Sequence, residues 1–136
     1  MRLEEIENKD GFYVTVNLFD TQPQTAANYG IFFTALRPSE ILEESVVFGT
    51  ASTSGTVQIE KLISTTAKGS GLATSVSTFS TAGTANTVVR KKATDLQNRQ
   101  LDVGDRLAIK STGTLTNGKD LQITVYLKPL GKGDYR

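Results

Sequence analysis

Hydrophobic and polar residues alternate along most of this chain. In Leu121-Gln122-Ile123-Thr124-Val125-Tyr126-Leu127-Lys128 the apolar residues hold the odd positions and mostly polar ones the even. Successive side chains of a strand point to opposite faces, so this spacing puts Leu121, Ile123, Val125 and Leu127 on one face and predicts a half-buried strand. Phe12-Tyr13-Val14-Thr15-Val16-Asn17-Leu18 repeats the pattern on even positions, which turns Tyr13 outward. Thr56-Val57-Gln58-Ile59-Glu60-Lys61-Leu62 is a third case, with Val57 and Ile59 inward. Segments 29–36 and 45–48 are more continuously apolar, as strands buried on both faces are. Segments 74–79, 87–92 and 106–110 complete a set of about eight strands.

Turn signals separate these segments. Asn117-Gly118 is the strongest short hairpin signal. Gly49-Thr50-Ala51-Ser52-Thr53-Ser54-Gly55, Ala67-Lys68-Gly69-Ser70-Gly71, Ala82-Gly83-Thr84-Ala85-Asn86 and Asp102-Val103-Gly104-Asp105 read as loops. Helical signals are confined to single turns over 38–44, where Ser39 resembles an N-cap, and over 93–99. Strands at short regular spacing without intervening helices predict an all-β fold, an antiparallel β-sandwich of jelly-roll type. Residues 1–27 form an N-terminal arm or first strand plus linker, 28–130 the sandwich domain and 131–136 a C-terminal tail. The linker is the polar, proline-bearing stretch from Asp20 to Asn28.

Composition narrows the chemistry. The 136 residues contain no Cys, no His and no Trp, but 19 Thr and 10 Ser. Without Cys there is no disulfide framework and no thiolate nucleophile. Without His the usual general base and the commonest metal ligand are missing. No metal or cofactor is expected. Hydroxyls abound, yet no Ser-x-x-Lys or Gly-x-Ser-x-Gly pattern activates one, and Thr suits a pleated surface in its own right. Lys68-Gly69-Ser70-Gly71 has glycines but no Gly-Lys-Ser/Thr and no following helix to hold a phosphate. Asp102 with Asp105 is the one acid pair an enzyme could use, and Glu43-Glu44 is a second pair. Asp favours turns by bonding its own backbone, so the first pair reads equally as a turn.

Charge adds one feature. The net charge is +1, which argues against a nucleic-acid binder held by phosphate contacts. No apolar run approaches the roughly 20 residues of a membrane helix, and the acidic N-terminus does not resemble a signal peptide. Residues 1–68 nevertheless carry a net −4 and residues 69–136 a net +5. Such halves suit complementary contacts between copies, in head-to-tail rings. Arg90-Lys91-Lys92 is the only basic run, with Arg90 and Lys92 on one strand face. It reads as a guarded sheet edge or as a contact for an acidic partner. Tyr13 and Tyr126, on outward faces, are the candidate exposed aromatics.

From residue 56 onward the order is a strand (Thr56-Val57-Gln58-Ile59-Glu60-Lys61-Leu62), a Gly/Thr loop with a strand (Gly83-Thr84-Ala85-Asn86-Thr87-Val88), a turn with a strand (Leu101-Asp102-Val103-Gly104-Asp105-Arg106-Leu107-Ala108-Ile109), and a last strand over 123–127. In this order the chain resembles small structural proteins of tailed bacteriophages, the capsid decoration and head-fibre proteins. The resemblance implies a β-sandwich or jelly roll that sits on the virion as a homotrimer and contacts the major capsid protein or another virion protein. It would be made in the host cytoplasm. The expected function is therefore non-enzymatic decoration or cementing of a capsid. The alternative is a carbohydrate- or receptor-binding module of a phage tail or head fibre. Attachment is assigned to the N-terminal arm. The expected interface residues are Phe12, Tyr13, Val14, Phe19, Arg90, Lys92 and Tyr126.

Overall fold

The computed structural model describes residues 11–18, 28–68, 74–92 and 95–131. Among these residues nine strands and one helical turn follow in chain order: β1 (Phe12–Leu18), β2 (Asn28–Thr34), β3 (Ser39–Thr50), β4 (Thr56–Leu62), β5 (Thr74–Ser80), β6 (Val89–Lys91), α1 (Leu96–Arg99), β7 (Gln100–Leu101), β8 (Arg106–Thr112) and β9 (Lys119–Pro129). They form two antiparallel sheets packed face to face. Sheet A has the order β1-β9-β3-β6, with β7 also on β3, and sheet B the order β2-β8-β4-β5. The chain crosses from one sheet to the other at most connections, which is the jelly-roll arrangement.

The period of two positions the core. Leu121, Ile123, Val125 and Leu127 of β9 are all at most 1% exposed, as are Val57 and Ile59 of β4. They meet Ile41, Val46 and Phe48 of β3 and Leu107 and Ile109 of β8 in one apolar cluster. Burying a side chain of this size contributes about 1.5–3 kcal/mol each. The inward residues of β1 (Phe12, Val14, Val16 and Leu18) pack against that cluster but stay half-buried, because β1 is the last strand of its sheet.

Two expectations are corrected. Asn117-Gly118 does not close a hairpin, since β8 lies in sheet B and β9 in sheet A. Leu115 is buried in the core at 1% exposure and pulls the connection across the end of the sandwich. There the 113–118 loop bonds to the 51–55 loop: Thr53 N–H donates to the Thr116 carbonyl (3.0 Å) and Ser54 N–H to the Thr114 carbonyl (2.9 Å). The expected turn of helix over 38–44 is instead the start of β3, paired along its length with β9. The Ser39 hydroxyl donates to the Arg37 carbonyl at 3.0 Å rather than capping a helix. The other helical turn is present as α1, capped by Asp95, whose side chain accepts from Gln97 N–H at 2.9 Å.

The charge asymmetry of the two chain halves is met in part within the molecule. Acidic β3 lies beside basic β6 and α1. Glu43 pairs with Arg90, and Glu40 lies 3.7 Å from Arg99.

Candidate functional site

A β-bulge shapes the outer face of sheet A. Ile41 pairs with Leu127 but Glu43 with Tyr126, so β3 carries one extra residue between them. A bulge of this kind re-aims the side chains that follow it. Before it the inward residues are odd (Ser39, Ile41); after it they are even (Glu44, Val46, Phe48). Glu43 therefore faces out and its neighbour Glu44 faces in.

The sheet register sets Tyr13, Tyr126 and Glu43 in one row across β1, β9 and β3. The next row is Thr15, Thr124, Ser45 and Arg90. The Tyr13 and Tyr126 rings stand 4.5 Å apart at 33°, within the range of a favourable offset stack. Gly11 makes room for this: a Cβ there would collide with the Tyr126 ring and hydroxyl. Arg90 reaches diagonally to the Glu43 carboxylate, as long side chains do between strands. That hydrogen bond holds Glu43 below the usual carboxylate range and raises Arg90 in turn. Between these groups lies a shallow cavity of about 290 Å³, completed by Ser45, Val88 and Thr124. Lys92 lines an adjoining hollow with Glu43 and Arg90.

Glu44 is the electrostatic exception of the interior. It is 0% exposed, and neither carboxylate oxygen has a hydrogen-bond partner. Burial pushes its pKa up to about 7. The residue opposite it on β6 is Lys91. That ammonium turns away, donating to the Thr78 carbonyl of β5 and sitting 5.0 Å from the centre of the Phe79 ring.

The structure brings four of the expected interface residues to one region: Tyr13, Tyr126, Arg90 and Lys92. Phe12 and Val14 point between the sheets instead. Phe12 packs against Phe33 of β2 with ring centroids 5.9 Å apart. Phe19 lies outside the described residues. Glu43, Ser45 and Thr124 belong to the site but were not singled out from the sequence as part of it. The parity switch in Ile41-Leu42-Glu43-Glu44-Ser45-Val46 was the signal available. The two glutamates cannot act as a pair, being on opposite faces. Asp105 is 7% exposed and holds its own turn, accepting from Asp102 N–H at 2.9 Å, with Lys61 Nζ 3.9 Å away. Among the described residues no three His, Cys, Asp or Glu side chains cluster to hold a metal ion, and no helix is long and apolar enough to cross a membrane.

Chemically, the face offers an aromatic surface, a mutually neutralised ion pair and two hydroxyls. That combination can stack on a flat or apolar group and hydrogen-bond its rim.

Neither a protein-family model nor a curated protein sequence matches the chain. Two solved chains match in structure. One belongs to Bacillus endospore appendages, described as a novel family of disulfide-linked pili. It superposes with a TM-score of 0.46 at 13% identity over 89% of this chain and 88% of its own. A likeness at that level carries no argument about what this chain does. This chain has no cysteine.

Proposed function

We propose that this chain is a non-enzymatic virion structural protein that decorates or cements a phage capsid as a homotrimer, with the outer face of sheet A as a contact surface. The observation that carries the contact is Tyr13, 71% exposed and stacked on Tyr126 beside the Glu43–Arg90 pair. Tyr and Arg are the residues over-represented at the centres of protein interfaces. The strand-and-turn order from Thr56 to Leu127 supports the capsid part of the reading through its resemblance to phage decoration proteins. A subunit that binds only assembled shell stabilises that shell by mass action and needs no catalytic group.

Light scattering after size exclusion tests the oligomer. A mass three times that of the 14.7 kDa chain, or a multiple of it, is expected. Co-sedimentation with phage capsid shells tests the contact, which Tyr13→Ala should weaken while the chain stays folded. A folded chain that never sediments with shells overturns the reading.

The same tyrosines favour a second reading, a carbohydrate- or receptor-binding module, because sugar rings stack on exposed aromatic faces. It predicts glycan binding that is lost on Tyr13→Ala and Tyr126→Ala. A glycan array with no bound sugar removes it.

A further inference from the structure

A two-sheet sandwich has four edges, here, among the described residues, at β1, at β6 with β7 along β3, at β2 and at β5. Unpaired edges invite further strands, and proteins blunt them with short strands, charges or bulges. Three of these edges are blunted. β6 is three residues long and reads Val89-Arg90-Lys91. β2 breaks register with β8 twice and has Gly30 at φ 134°. β5 breaks register with β4 once, and Lys91 occupies its Thr78 carbonyl.

β1 has none of these devices. It is seven residues long, Phe-Tyr-Val-Thr-Val-Asn-Leu, with no charge, proline or glycine. Its register with β9 runs unbroken from Phe12 to Leu18. Among the described residues nothing pairs with its other side. Its inward residues are half-buried, where the matching residues of β9 are at most 1% exposed. Phe33 of β2, the edge strand of the other sheet on the same side, packs against Phe12 and is likewise only partly buried. The side of the sandwich at β1 and β2 is thus an open apolar seam.

The strand is also complementary to itself. Antiparallel pairing of two copies about Thr15 sets Phe12 opposite Leu18, and Val14 opposite Val16. All of these lie on the inward face. On the outer face Tyr13 falls opposite Asn17 and Thr15 opposite Thr15. No like charges meet, and the two apolar seams become continuous. We propose that the β1 edge is an interaction surface whose partner is the β1 edge of a second copy of this chain. The two copies join through a two-fold axis at Thr15 and share one continuous sheet. A two-fold contact of this kind is isologous, and main-chain hydrogen bonds supply its register. It uses the main-chain edge of β1 rather than the outer face that carries Tyr13, Tyr126 and Arg90, so it does not depend on the proposed function although Tyr13 and Thr15 lie on the same strand. Copies that also formed trimers would reach a hexamer.

The test is the mass of the full chain by light scattering, with Thr15→Lys and Thr15→Glu beside the natural sequence. Thr15 is exposed, and its hydroxyl makes only a 3.3 Å contact to Thr124, so both variants should fold, as circular dichroism would verify. Each sets like charges directly opposite across the axis, which is destabilising. The natural chain is expected to have an even number of subunits, and each variant half that mass. An equimolar mixture of the two variants should regain the full mass, since opposite charges then face each other. A natural chain that is monomeric overturns the inference. So does a trimer, or any assembly whose mass neither variant changes. The trimer outcome would leave the capsid reading standing while this one falls.

Discussion

The two halves of sheet A are built on different physics. Where β1 pairs with residues 121–127 of β9, the inner face is Phe, Val, Leu and Ile and the outer face Tyr, Thr, Asn and Gln. That half is held by dispersion and apolar burial, which involve no titrating group. The β3–β6 half carries Glu40, Glu43 and Glu44 against Arg90 and Lys91. There, one carboxylate is exposed and paired while its sequence neighbour is buried and unpaired. The difference shows that one residue of register decides whether a charge is harmless or costly. Without the bulge, Glu44 would stand on the outer face and Glu43 inside.

Three substitutions probe that contrast, in descending size of effect. Leu127 is where the halves join, since it pairs with Phe12 on one side and Ile41 on the other and is fully buried. Leu127→Ala should cost about 3 kcal/mol through lost burial and the cavity left behind. Urea unfolding should give the same loss in mildly acidic and mildly alkaline buffer, because no titrating group is removed.

Glu44→Leu should do the opposite on the charged side. In the folded chain Glu44 keeps its proton up to about pH 7, against an ordinary value of 4.5. Between those values the folded state binds a proton that the unfolded chain releases, so stability falls as pH rises and the full cost is present above about 7. Removing the carboxyl should therefore stabilise by roughly 3 kcal/mol in alkaline buffer and far less in acid. Unfolding curves across that pH range check it. A variant whose stability has the same pH slope as the natural chain would place the cost elsewhere.

Arg90→Ala should have the smallest effect on stability, because Arg90 is largely exposed and surface ion pairs contribute little. Its signature is local. Glu43 should lose the bond that holds its carboxyl low and titrate near its ordinary value, as carbon-detected NMR can follow.

Most strands were legible in the sequence for a simple reason. A strand buried on one face must alternate; β1 and β9 do so without interruption and β4 does so as far as Ile59, where its register with β5 shifts, and β1 and β4 run over the same residues that alternation marks. Legibility failed where local signals met tertiary demands. Pro38-Ser39-Glu40 has the look of a helix start, but pairing with the whole of β9 outweighed it. Asn117-Gly118 suits a tight turn, yet Leu115 had a place in the core and the flanking strands had partners in different sheets. The outward orientation of Tyr13 and Tyr126 followed from alternation. Their stacking did not, because it depends on a register between residues far apart in the chain.

By itself, then, the amino-acid sequence determined the all-β class, most strand positions and which face of β1, of β9 and of the first part of β4 turns inward. These follow from the two-residue period and from turn chemistry, both local. Tertiary structure alone decided the order β1-β9-β3-β6 over β2-β8-β4-β5, the bulge that parts Glu43 from Glu44, the gathering of the tyrosines beside Arg90, and, among the described residues, the one edge left without a guard. Each is a relation between segments distant in sequence. Such relations are settled by how the whole apolar surface is buried at once, and no local pattern encodes them.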